Sequence, residues 1–144
     1  MLYDALITSL PGMDKSKPAP GPSFLKGYLE TQGFKIKVID GNQLDTLDNI
    51  HKEIAKYDFR WLGISVFSYE QKDDALKLGE RYENVLYGGS GVDIAWPSKY
   101  YITGEGEYAF VEFLNNNFDY PGINGKPPKQ IENIEDLPPP DYSD

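Results

Sequence analysis

The chain has 144 residues, of which 40% are hydrophobic and 26% charged, as is typical of a soluble globular protein with one domain. Its formal net charge is −9, and its two arginines, Arg60 and Arg81, are far apart in the sequence. Because phosphate-binding surfaces need clustered Lys and Arg, we expect no direct binding to nucleic acid. No apolar run approaches the ~20 residues that span a bilayer, and no secretory signal is present, so no membrane partner is expected. The lack of cysteine favours a cytoplasmic location.

Apolar runs and helical periodicities alternate along the chain. The predicted strands cover residues 5–10, 35–39, 61–67, 84–87 and 100–102. The predicted helices begin at Ser23, at about Asp45, at Gln71 and at Tyr108, and Gly33 is placed to end the first in a left-handed conformation. This alternation predicts an α/β fold with a doubly wound, five-stranded parallel sheet, and five strands fit the flavodoxin-like order 2-1-3-4-5.

The composition changes after Phe118. Six of the eleven prolines lie between Pro121 and Pro140, and this region has no helical periodicity. Such a segment is typical of an extended strap or linker. We therefore predict an α/β domain over residues 1–118 and an extended Pro-rich linker over residues 119–144.

Two glycine-rich turns follow two of the short predicted strands. Tyr87-Gly-Gly-Ser-Gly91 follows the fourth strand, and Gly104-Glu-Gly-Glu107 follows the fifth and precedes a helix. In an open parallel α/β sheet, ligands bind in the crevice beyond the carboxyl ends of the strands. Glycines there allow a ligand to approach the backbone closely, although a turn that needs positive φ would also explain them. The pattern predicts a ligand site at this edge.

These motifs, in this order, resemble one known family over essentially the whole chain: the N-terminal cobalamin (vitamin B12)-binding domain of cobalamin-dependent radical SAM enzymes. The motifs are Pro20-Gly-Pro22, Gly33, Gly63-Ile-Ser-Val66, Gly88-Gly89, Gly104-Glu-Gly-Glu107, Pro121-Gly122 and Leu137-Pro-x-Pro-Asp-Tyr142. The resemblance implies a Rossmann-like, cobalamin-binding fold. It also implies a methyltransferase or related parent enzyme, whose barrel would bind an iron–sulfur cluster and S-adenosylmethionine.

That barrel would begin near Asp144, where this sequence ends. Having no cysteine, the chain cannot itself carry the cluster, so it is expected to be either a fragment of a longer enzyme or a stand-alone relative. We expect no catalysis by the isolated chain. The expected partners are the corrinoid and a radical SAM barrel, supplied in cis or in trans.

The resemblance places the corrinoid on the loops after strands one, three, four and five. Ser65 aligns with a Ser-x-Leu motif whose hydroxyl faces the nucleotide tail, and Phe67 stands where it would narrow the tail channel; alternatively, Ser65 is simply a small residue packed against a helix. Glu105 and Glu107 could equally serve only to complement the helix dipole. The predicted cofactor-binding residues are Met13, Asp14, Ser65, Phe67, Ser68, Tyr69, Gly88, Gly89, Ser90, Gly104, Glu105 and Gly106.

One departure from related cobalamin domains leaves a second interpretation open. The mutase and methionine synthase types carry Asp-x-His-x-x-Gly after the first strand, whereas the loop here, residues 11–18, has no histidine. His51, the single histidine, lies on the second predicted helix and is not expected to be a ligand. The domain could instead be a non-catalytic interaction module that keeps the fold without the vitamin. The chain does not have the acidic residues that a phospho-receiver needs at its strand ends. It also does not have the Gly-x-Gly-x-x-Gly motif of a dinucleotide-binding enzyme after its first strand.

Overall fold

The structure is a computed structural model that describes residues 1–11, 20–93, 96–103, 107–118 and 120–124. Its described strands are β1 (Leu2–Thr8), β2 (Ile36–Ile39), β3 (Asp58–Ser65) and β4 (Val85–Gly88). The described α-helices are α1 (Pro20–Thr31), α2 (Leu47–Ile54), α3 (Lys72–Gly79) and α4 (Glu107–Leu114). Short 3₁₀ turns, Gly41–Leu44 and Tyr69–Gln71, precede α2 and α3. No described helix has the length and apolar character needed to cross a bilayer.

The four strands form one parallel sheet in the order β2-β1-β3-β4. The central strands are apolar because both of their faces are covered. On one face, Leu6 and Leu62 pack under α2 and α3; on the other, Ala5 and Ile7 pack under α1 and α4. The sheet is therefore doubly wound, and its order agrees with the first four strands of the predicted flavodoxin-like arrangement.

The predicted fifth strand is much shorter than a regular strand. Tyr101 forms a single parallel bridge to Tyr87 of β4, and Ile102 forms a single antiparallel bridge to Ile123. Residues 120–124 return alongside: the Asn124 N–H donates to the Tyr101 carbonyl at 2.7 Å, and the Asn124 Oδ1 accepts from the Tyr101 N–H at 2.8 Å. The described sheet therefore has four strands, and the predicted fifth strand contributes only isolated bridges, one to β4 and one to the returning residues 120–124. Residues 125–144 of the predicted strap lie outside the described residues.

Local signals explain how the first helix ends and the second begins. Gly33 has φ of +92°, and the Phe34 N–H donates to the Leu29 carbonyl, which gives the predicted left-handed end to α1. The helix begins at Pro20, three residues before the predicted Ser23. Proline is favoured at the first position of a helix, because an N–H there would have no partner within the helix. Similarly, α2 begins at Leu47, two residues after the predicted start at about Asp45, because the Thr46 hydroxyl accepts from the Asn49 N–H at 3.1 Å and caps the helix.

Candidate functional site

The carboxyl ends of the parallel strands bring the central part of the predicted site together. Thr8, Ser65 and Gly88 end β1, β3 and β4 at the same edge of the sheet. The predicted contacts in the loops that follow β3 and β4 lie there as well: Phe67, Ser68, Tyr69, Gly89 and Ser90. The other predicted contacts lie outside the described residues: Met13, Asp14, Gly104, Glu105 and Gly106.

Small residues form the floor of this edge on the face that carries α1 and α4. Ser65 and Gly88 are register partners on neighbouring strands, and Gly63 precedes Ser65 on the same face of β3. A methyl group added at Gly63 would contact Ile7 and Phe110 at 3.5 Å, whereas no described atom lies within 4 Å of one added at Gly88. The floor is therefore packed at Gly63, whereas among the described residues nothing covers Gly88.

Gly89 is a glycine for a different reason. Its φ is +112°, and an added Cβ would lie 2.4 Å from the carbonyl oxygen of Val66. An added Cβ at Gly91 would similarly lie 2.6 Å from the Ser68 carbonyl. The turn after β4 is thus wrapped tightly onto the loop after β3, and close packing within the chain is enough to explain these two glycines.

Hydrogen bonds join the same two loops. The Gly91 N–H donates to the Val66 carbonyl at 2.9 Å, and the Ser90 hydroxyl donates to the Phe67 carbonyl. Ser90, predicted to contact the ligand, therefore has a hydrogen-bond acceptor within the protein. The two loops form one connected ledge beyond the ends of β3 and β4.

Two aromatic side chains on this ledge are exposed to solvent. Phe67 is 56% and Tyr69 61% exposed, which makes them two of the few large apolar side chains of the described chain that are not covered. The Lys72 ammonium lies 5.1 Å from the centre of the Tyr69 ring. Exposed aromatic rings next to accessible backbone groups are typical of sites for large flat ligands. Such ligands stack on the rings and form hydrogen bonds with the backbone.

Gln71 is a functional candidate that the sequence reasoning missed. It is 9% exposed, and its side chain lies between the loops after β1 and β3. Its Oε1 accepts from the Phe67 N–H at 2.8 Å, and its Nε2 donates to the Pro11 carbonyl at 3.3 Å. The sequence showed only a polar residue at the start of a predicted helix. Both of its partners are backbone groups, so no motif marks them.

His51 lies on α2, apart from the ledge, and has its own partner. Its Nδ1 is 2.7 Å from the Tyr82 hydroxyl, and the two rings stack. Burial lowers the pKa of His51 below the ordinary 6.5, and the positive charge of Arg81 lowers it further. The described residues contain no group of three metal-binding side chains of the His, Cys, Asp or Glu type.

The fold and this edge define a Rossmann-like α/β domain with a candidate ligand ledge. No protein-family model matches the chain, and no curated protein matches it significantly. Among solved structures, it is similar to the radical S-adenosylmethionine methyltransferase TsrM from Kitasatospora setae with cobalamin and a [4Fe-4S] cluster bound (TM-score 0.66, 18% identity). That alignment covers 84% of this chain and 28% of TsrM.

Two further structures agree. One is TsrM with a tryptophan substrate and the S-adenosylmethionine analogue aza-SAM, with a TM-score of 0.61 over 83% of this chain. The other is the apo form of the cobalamin-dependent S-adenosylmethionine radical enzyme OxsB, with a TM-score of 0.65, 18% identity and 98% of this chain covered. The chain spans 28% of the length of TsrM and 24% of that of OxsB. At this identity, the similarity is one of fold.

Proposed function

We propose that this chain is the cobalamin-binding module of a radical SAM enzyme, and that it holds the corrinoid on the ledge at the carboxyl edge of its sheet. The observation that carries the proposal is the space above Gly88, beside its register partner Ser65, within 4 Å of which no described atom lies. The exposed Phe67 and Tyr69 lie in the loop that follows Ser65. The fold similarity to TsrM and OxsB supports it, because both are cobalamin-dependent or cobalamin-bound in their descriptions.

The residue types at this edge support a corrinoid as the ligand. A corrin ring is broad and largely apolar with amide groups at its rim, so it needs a flat ledge, free backbone and few charges. Gly88 would allow the close approach, Ser65 would place a hydroxyl near the nucleotide tail, and the exposed Phe67 and Tyr69 would offer apolar surface. When bound, the corrinoid supplies methyl-transfer or radical chemistry, while the protein contributes binding, orientation and exclusion of water.

The remaining assignments extend the proposal to the other loops. Met13 and Asp14 would approach the cobalt from the loop after β1. Gly104, Glu105 and Gly106 would contact the rim of the ring through backbone N–H groups. The one histidine, His51, is paired to Tyr82, so the ledge offers the cobalt no imidazole. Water or a loop residue would then coordinate the metal, or its lower position would stay open.

The chemistry itself belongs to a longer protein or to a partner. We propose a methyltransferase or related radical SAM enzyme, in the cytoplasm, whose barrel binds the iron–sulfur cluster and S-adenosylmethionine. The chain spans about a quarter of the length of the structures it resembles, which leaves room for that barrel. In this arrangement, the module orients and shields the corrinoid and performs no catalysis alone.

The decisive variant for the location of the site is Gly88→Leu. Since no described atom lies within 4 Å of an added Cβ, the leucine side chain would extend into the space proposed for the ring. We expect hydroxocobalamin titrations followed by visible absorbance to show at least about a tenfold weaker affinity, which corresponds to about 1.4 kcal/mol. Gly27→Leu is the matched control, because Gly27 is exposed on α1 and also meets nothing within 4 Å.

Two outcomes would count against the proposed site. Equal corrinoid affinity in both variants would place the ligand elsewhere on the protein. Failure of the native chain to bind would favour the interaction module, which the exposed Phe67 and Tyr69 also fit, because exposed apolar side chains can form a protein interface.

A further inference from the structure

The strand order identifies one place in the sheet where the connections diverge. In the order β2-β1-β3-β4, the chain leaves β1 towards β2 on one side, whereas β3 lies on the other side. The connections that follow β1 and β3 therefore lead to opposite sides of the sheet, and the crevice at such a point is where folds with this order bind ligands. Of the segment after β1, the structure describes residues 9–11. Any group that joins these two loops controls the width of that crevice.

Gln71 is such a group. Its buried side chain crosses from the loop after β3 to the loop after β1, with Oε1 2.8 Å from the Phe67 nitrogen and Nε2 3.3 Å from the Pro11 carbonyl oxygen. Because Phe67 offers an N–H and Pro11 a C=O, only one orientation of the amide satisfies both. The Gln71 N–H in turn donates to the Ser68 carbonyl at 3.0 Å, which fixes the residue itself.

Phe67 is consequently held through both of its backbone polar groups. Gln71 accepts from its N–H, and the Ser90 hydroxyl donates to its carbonyl. Its ring nevertheless remains 56% exposed. An exposed aromatic ring on a backbone fixed from two sides is a preorganised surface, which loses little conformational freedom when a ligand packs against it.

We propose that Gln71 is a positioning residue that sets the separation of the loops after β1 and β3 and the place of Phe67 between them. It acts on ligand binding through these loops without touching the ligand. The effect on corrinoid affinity rests on the proposed function; the positioning of the loops does not.

Two substitutions distinguish the hydrogen bond that the Gln71 Oε1 accepts from the one that its Nε2 donates. Gln71→Leu keeps a similar size and removes both hydrogen bonds. Gln71→Glu keeps an acceptor for the Phe67 N–H, but its ionised carboxylate cannot donate to the Pro11 carbonyl. Gln32→Leu and Gln32→Glu are the matched controls, because Gln32 is exposed just beyond the end of α1 and its Nε2 donates to the hydroxyl of its neighbour Thr31 at 3.3 Å.

The test combines amide hydrogen exchange, read by NMR, with hydroxocobalamin titration. We expect Gln71→Leu to speed exchange at the Phe67 amide by about tenfold, as the loss of one hydrogen bond implies. Gln71→Glu should leave that amide protected. Both variants should weaken corrinoid binding by about five- to tenfold, since both lose the bond to Pro11, while the Gln32 variants match the native chain.

Each result has a defined meaning. An unchanged Phe67 exchange rate in Gln71→Leu would overturn the positioning role. Native-like affinity in both Gln71 variants would overturn its effect on binding. If the native chain binds no corrinoid, the proposed function fails, and the exchange comparison still decides whether Gln71 positions the loops.

Discussion

Gly88 and Gly89 are neighbours in sequence but differ in what their missing side chains allow. Gly88 faces open space, whereas Gly89 has a φ of +112° and lies against the carbonyl of Val66. The sequence reasoning gave both the same two explanations, a turn or a ligand contact. The structure separates them, because backbone conformation at a single residue depends on the packing of the neighbouring loop.

The two positions should respond differently to alanine. Gly89→Ala is expected to lower the free energy of unfolding by about 1–3 kcal/mol, because the new methyl group both strains φ and clashes with Val66. Gly88→Ala should change it by less than about 1 kcal/mol, since the methyl group meets no described atom. Urea unfolding of both variants measures the difference, and equal stabilities would contradict this account of Gly89.

Much of the candidate site was predictable from the sequence, but its internal contacts were not. Ser65, Ser68 and Tyr69 lie near the carboxyl end of β3 as predicted, because a continuous apolar run marks a central strand. Phe67, predicted as the last residue of that strand, lies in the loop beyond Ser65. Gln71 was missed. Its partners are the backbone N–H of Phe67, four residues away, and the backbone carbonyl of Pro11, 60 residues away, and no residue type encodes such a pairing.

At the scale of elements, residues 120–124 close the free edge of the sheet beyond β4. Ile123 is completely buried among side chains such as Ile102 and Phe113, and its neighbour Asn124 bonds the backbone of Tyr101 twice. A bare strand edge would expose unpaired N–H and C=O groups, and this return segment covers them. Residues 120–124, which fall within the predicted linker, therefore pack against the α/β domain.

Truncation of Ile123 tests this role of the segment. We expect Ile123→Ala to lower the free energy of unfolding by about 2–5 kcal/mol, because it leaves a cavity in a packed cluster. Ile123→Val, which removes one methyl group, should cost only about 0.5–1.5 kcal/mol. Thermal or urea unfolding gives both values. If the alanine variant is as stable as the valine variant, the segment does not contribute to the core.

The elements were more predictable than their boundaries. Four strands and four helices of the described chain correspond to predicted ones, because period and apolar runs reflect which faces are buried. The predicted fifth strand, Tyr100-Tyr-Ile102, does not form a regular strand although its composition is typical of one. Tyr101 forms a bridge to β4, and the next residue, Ile102, forms a bridge to Ile123 in the returning segment. Non-local pairing of this kind has no signal in the local sequence.

At the scale of the whole molecule, the domain has two covered faces and one open edge. Both faces of the sheet are packed against helices, so the carboxyl edge is where backbone groups, small residues and exposed aromatic rings meet. The net charge of −9 makes a phosphate-rich partner unfavourable and is compatible with a largely neutral ligand. Under the proposed function, this edge would hold a flat cofactor for chemistry performed elsewhere.

The most direct test of the central claim is retention of the corrinoid by the purified native chain. The protein is mixed with hydroxocobalamin, free vitamin is removed by gel filtration, and the visible spectrum of the protein peak is recorded. The account predicts corrin absorbance close to one equivalent per chain, with bands that report what faces the lower side of the cobalt. A colourless protein peak, obtained with methylcobalamin as well, would contradict cobalamin binding by this chain.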